Sequence, residues 1–183
     1  MHSTDLVTVI CAAVLSLGLI ASYKHTFGGS SYLTNKWWLG LDASCVYGVT
    51  TLQIVAAVSF LGMLVEWGRR APYGGLFDHK NRPYGLASCV STLLAASIVW
   101  ALMLDSGRHW LVALSLVVVA VCALALVVGA FTECKPRLTI VLFSLLFGTI
   151  TVLADGVGWN TRFLLQTTTH ALGGEGAFAT NSS

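Results

Sequence analysis

The chain has 183 residues, 56% of them hydrophobic and only 10% charged, with a formal net charge of +2 and a mean hydropathy of +0.78. A soluble domain carries about 25% charged residues, so these few charges cannot keep a 19.5 kDa globule in water. The composition excludes an ordinary soluble enzyme, a disordered chain and a collagen-like fibre, and the small net charge argues against nucleic acid as a partner. It points to an integral membrane protein.

A charged side chain at the bilayer centre costs roughly 2.5–3.5 kcal/mol, so long charge-free stretches mark candidate spans. Five occur, and they predict an all-α integral membrane protein with about five transmembrane helices in an up-down bundle. The spans fall near 6–23, 43–66, 84–104, 110–132 and 138–155, within a single domain over 1–172. Glu66, Asp105, Glu133 and Asp155 close the second to fifth of them. The apolar residues run continuously instead of alternating, which excludes the strands of an outer-membrane barrel. In lipid, the backbone must then satisfy itself as helix. Only His2 and Asp5 precede the first apolar core. Without a positive n-region it reads as a retained helix and not as a cleaved signal.

In chain order, the first connection (24–42) contains a Gly-Gly-Ser-Ser turn and then Trp37 and Trp38, a stretch suited to lying flat on the membrane surface. The second connection (68–82) holds Arg69, Arg70, Lys80 and Arg82, interleaved with Tyr73 and Phe77 and followed by Tyr84. Such a basic, aromatic loop suits contact with anionic lipid headgroups or with an acidic protein partner. The third and fourth connections (105–109 and 132–137) are short, so the third, fourth and fifth spans are expected as antiparallel neighbours. Beyond the fifth span, residues 156–172 read as an interfacial helix or a Thr-rich loop, and 173–183 as a flexible tail.

Trp67, Trp100, Trp110 and Trp159 fall near span ends, as amphipathic rings at the headgroup level do. Trp100 suits packing inside the bundle equally well. Six Lys and Arg residues lie on one side of the predicted topology, against Lys24, Lys36, Arg108 and Arg162 on the other. This bias puts the N-terminus in the cytoplasm and the C-terminus opposite.

Small residues let helices approach closely in lipid. Ser88, Thr92 and Ala96 make such a stripe on the third span, and Ala125 and Gly129 a shorter one on the fourth. These stripes serve either packing within the bundle or docking of a partner.

Little in the chain carries chemistry. His2, His25, His79, His109 and His170 all lie in loops or at helix ends, so no haem ligand sits within a span. Cys11, Cys45, Cys89, Cys122 and Cys134 form no Cys-x-x-Cys pair, and no metal site, cofactor site or disulfide framework is expected. Cys134, beside Lys135, is a weak candidate for palmitoylation. The intramembrane polar residues are Gln53 and Asp155, the latter with Arg162 as a candidate partner. No hydrolase, P-loop or dinucleotide motif occurs, so a non-enzyme is expected. Asp78 and His79 read as a solvated loop pair, the only footing for lipid-directed catalysis. Asn181 opens a glycosylation pattern at the chain end.

The stretches 52–61 (LQIVAAVSFL) and 95–100 (AASIVW) resemble spans of small multispan proteins of large DNA viruses with an internal membrane. The resemblance covers a small part of the chain and implies a structural, capsid-associated or internal-membrane role. The expectation is a non-catalytic component of a larger membrane-associated complex, whose partners are membrane lipids and other protein subunits. The alternative is a small homo-oligomeric transporter or channel lined by Gln53 and Asp155.

Overall fold

The computed structural model describes residues 3–27, 43–104 and 108–161. Among these residues there are five α-helices and no strands. Helix α1 spans Ser3–Phe27, α2 Ala43–Arg69, α3 Gly85–Met103, α4 His109–Thr132 and α5 Leu138–Thr151. Helix α5 runs directly into a π-helix, Val152–Trp159. Four helical stretches are long and apolar enough to cross a membrane: 44–69, 85–103, 110–132 and 138–159. In α1 the apolar helix among the described residues is shorter, Ile10–Ser22.

The helices begin and end where the charge pattern directs, with three departures. Helix α1 takes in Asp5 at its start and runs past Lys24 to Phe27. Helix α2 continues past Glu66 to Arg69, at the end where Arg137, described below, donates to the Glu66 and Arg70 carbonyls. The fifth span does not stop at Asp155. The π-helix carries the backbone on to Trp159, with Gly156 set against Ala120 of α4.

The principal packing is of α3 against α4, α1 against α3, α2 against α5 and α4 against α5, whereas α1 scarcely meets α2. The order around the bundle is therefore α1, α3, α4, α5, α2, with a loose seam where the ring would close. The expected antiparallel neighbours α3, α4 and α5 are in contact.

The main core draws Ala56, Phe60 and Met63 from α2, Val90, Leu93 and Leu94 from α3, Leu126 from α4 and Phe147 from α5. Close approach is set by glycines: a Cβ at Gly148 of α5 would overlap Val127 of α4, and one at Gly62 of α2 would press on the Phe143 ring of α5. A second cluster joins Val46, Trp100, Leu104, Val112, Leu116 and Trp159 toward the other end.

The outward faces are also apolar. Ile54, Val58, Leu61 and Val65 of α2, Val117, Val121, Leu124 and Val128 of α4, and Leu142 and Leu146 of α5 are all exposed. A water-soluble monomer rarely shows so continuous an apolar surface. These faces match a multi-pass membrane protein.

Most described tryptophans are not at the surface. Trp67, Trp100 and Trp159 are buried, with the Trp100 and Trp159 rings 6.4 Å apart. Trp110 is exposed. The buried rings contribute more by filling the bundle than by sitting at an interface, because each removes a large apolar area from the surroundings and finds neighbours inside. Trp37 and Trp38, the 35–39 surface stretch, residues 162–172, Arg162 and the 173–183 tail lie outside the described residues.

Candidate functional site

The up-down course brings the C-terminus of α2, the N-terminus of α3, the C-terminus of α4 and the N-terminus of α5 to one end of the bundle. Arg69, Arg70, Lys80, Arg82, Lys135 and Arg137 therefore gather there. Two connections, 70–84 and 133–137, cover this end and are bonded to each other as a cap.

Arg137 is the centre of the cap. Its Nη1 donates to the Glu66 carbonyl at 2.8 Å, and its Nη2 donates to the Arg70 carbonyl at 2.9 Å. The Glu66 carbonyl also accepts the Arg70 N–H at 3.2 Å, so the guanidinium, from the residue just before α5, adds a second donor there and a donor to the Arg70 carbonyl just beyond α2. The same group lies 3.8 Å from a Glu66 carboxylate oxygen and 3.9 Å from one of Glu133. Glu133, itself buried, accepts a hydrogen bond from Trp67 Nε1. The cap thus joins α2 to the α4–α5 turn through both charge and hydrogen bonds.

The backbone tightens the joint. The Cys134 N–H donates to the Tyr73 carbonyl at 2.9 Å, and the Leu76 N–H donates to Thr132 Oγ1 at 3.1 Å. Gly74 and Gly75 sit at φ +76° and +69°, a left-handed conformation that costs glycine little. A Cβ at Gly75 would overlap the Thr132 backbone, and one at Gly74 the Cys134 Sγ. Both glycines are needed for the two connections to touch.

The next turn is built on Asp78. It accepts from the Lys80 N–H at 3.2 Å and from the Asn81 amide, and its carbonyl accepts from the Arg82 N–H at 2.7 Å. Desolvation pushes the Asp78 carboxyl up. The N–H groups of Gly74 and Lys80, the Asn81 amide and the Lys80 charge outweigh it and hold the carboxyl below its ordinary value.

The expected contact residues divide. Arg69, Arg70, Tyr73, Lys80, Arg82 and Tyr84 are exposed, forming one cationic and aromatic surface. Phe77 is not part of it. It is 5% exposed and stands edge-on to Trp67, with ring centroids 5.9 Å apart. Its ring occupies the space above Gly129, where a Cβ would overlap it. Burying a phenyl ring in that gap is worth more than leaving it at a loop surface, which explains why Phe77 turns inward.

The small-residue stripe on α3 also departs from a packing role. Ser88 and Thr92 are exposed and Ala96 is half-buried, because α3 turns Leu93, Leu94 and Trp100 inward, where larger side chains make more contacts. On α4, Gly129 is buried beneath Phe77 and Ala125 is half-buried against the core.

Gln53 is half-buried on α2, and its side chain makes no hydrogen bond among the described residues. Asp155 lies inside the π-helix, also without a hydrogen bond or ion pair among the described residues. His79 lies in the cap connection, where its N–H donates to the Pro72 carbonyl at 3.1 Å. No group of three His, Cys, Asp or Glu side chains among the described residues is placed to hold a metal ion. No disulfide involves Cys11, Cys45, Cys89, Cys122 or Cys134 among the described residues.

Sequence reasoning missed Glu133 and Arg137. Their one local signal is the spacing of opposite charges at i, i+4 across the α4–α5 turn. The partners that give them their role are 66 and 71 residues away in the chain.

The fold and this end of it define a class: an all-helical bundle with apolar outer faces, four helices capable of crossing a membrane, and a bonded cationic cap. Comparison with protein-family models, curated proteins and solved structures finds no match.

Proposed function

We propose that this chain is a multi-pass integral membrane protein and a non-catalytic structural or assembly component of a larger membrane-associated complex. The cap is its contact surface for other protein subunits and for anionic headgroups. The positive-inside rule puts the cap and the N-terminus on the cytoplasmic side and the C-terminus opposite.

The observation that carries this reading is the cap's construction. Arg137, Glu133 and the Gly74-Gly75 turn fix its backbone, while Arg69, Arg70, Tyr73 and Lys80 point outward. Fixed backbone under exposed Arg and Tyr loses little conformational freedom on binding, which favours recognition.

The test is the double change Arg69→Glu with Arg70→Glu. Arg70 enters the cap through its carbonyl, and among the described residues Arg69 pairs with Glu66 of its own helix alone, at 3.2 Å, so the change spares the bonds between the two connections. The variant should fold but leave its complex on a native gel. Retention in the complex would count against the proposal.

One observation favours a second reading, a small homo-oligomeric transporter or channel. Asp155 lies in a π-helix, a geometry frequent at functional sites, and an ionisable group within an apolar helix is a functional candidate. Under that reading Gln53→Leu or Asp155→Asn abolishes flux in reconstituted vesicles while leaving assembly intact.

A further inference from the structure

Beside the cap, at the loose seam between α1 and α2, lies a cavity of about 420 Å³. That size falls within the range of small-molecule sites, roughly 300–1,000 Å³. Its walls change character along its length. Ala12 and Ser16 of α1 and Leu61, Leu64 and Val65 of α2 make an apolar trough. Arg69, His79 and Arg82 line its other part, together with the aromatic floor of Trp67 and Phe77. From Leu61 to Arg69 the α2 backbone rises about 12 Å at 1.5 Å per residue, so the trough reaches more than two helical turns below its cationic part. Leu61 and Val65 line it and are each 53% exposed, so it opens onto the outer face of the bundle.

We infer that this cavity binds one phospholipid with an anionic headgroup, an acyl chain lying along the α1–α2 seam and the phosphate at Arg69 and Arg82. The charge arrangement favours this occupant over a neutral lipid. Arg82 makes a single side-chain hydrogen bond among the described residues, to the Leu76 carbonyl at 3.4 Å, and no carboxylate there is within ion-pair distance of it. Arg69 pairs with Glu66, but the pair is solvent-exposed and weakly held, so the guanidinium can turn to a phosphate. Arginine's planar fork suits a phosphate. The inference rests on the membrane reading but not on the assembly role, because it concerns the isolated chain.

The test uses the full chain purified in mild detergent. It is offered phosphatidylglycerol and phosphatidylcholine with identical acyl chains in equal amounts, and retained lipid is counted by native mass spectrometry. One phosphatidylglycerol should be retained, preferred by roughly thirtyfold, given two cations at the headgroup. Arg69→Gln with Arg82→Gln should remove the preference, and Arg69→Lys with Arg82→Lys should restore most of it. Ser16→Trp, which fills the trough, should abolish retention of both lipids; Leu61→Trp does the same should Ser16→Trp fail to fold by circular dichroism. Equal retention of the two lipids by the unaltered chain would overturn the inference. So would an unchanged preference in the Gln pair, or undiminished retention in a folded trough-filling variant.

Discussion

Glu133 accepts from the Trp67 indole and faces the Arg137 guanidinium, so its removal strands the indole N–H and takes one of two carboxylates from Arg137, which keeps Glu66 and the two carbonyls. Glu133→Ala leaves a buried N–H without an acceptor, at a cost of about 1–3 kcal/mol. The thermal midpoint of the detergent-solubilised protein should fall accordingly. Arg69→Ala breaks only an exposed ion pair, worth about 0–1 kcal/mol, and should scarcely move it. Equal losses from the two changes would contradict the cap as described. The difference between these residues was not visible along the chain. Arg69, Arg70, Lys80 and Arg82 stand out by density of charge, whereas Glu133 and Arg137 acquire their roles only when α2 arrives beside the α4–α5 turn.

At the scale of elements, Phe77 and Gly129 join the cap to α4. Phe77→Ala empties a buried ring site and should cost about 3–5 kcal/mol. Gly129→Ala drives a Cβ into the same ring and should also destabilise. Because the two residues share one space, Gly129→Ala combined with Phe77→Leu should lose less than the sum of the single changes in thermal unfolding. Strict additivity would mean that the ring does not rest on the glycine. The helices themselves were legible from gaps between charges, which fix ends with little regard to packing. Short loops also foretold that α3, α4 and α5 are neighbours. A helix apolar all round carries no period that says which face turns inward, so the places of α1 beside α3 and of α2 beside α5, and the outward turn of Ser88 and Thr92, were hidden. The π-helix after Thr151 left no sequence signal either, and Asp155 looked like a stop because charge usually ends a span.

For the whole molecule, the up-down course sets Cys45, near the start of α2, and Cys134, after α4, at opposite ends of the bundle, both exposed. In sealed vesicles, a membrane-impermeant maleimide added outside should label single-cysteine variants at one of these positions and not at the other. Labelling of both from one side would contradict a membrane-crossing bundle. The apolar outer faces of α2, α4 and α5 and the cap at one end support the proposal of a protein held in lipid that offers one rigid surface to its surroundings. The most direct measurement of that account is extraction from the native membrane in mild detergent, followed by a native gel and mass spectrometry of the band. The account predicts a large particle with the same partners in every preparation, lost on Arg69→Glu with Arg70→Glu. Migration of the unaltered chain alone, or as a small homo-oligomer, would contradict it.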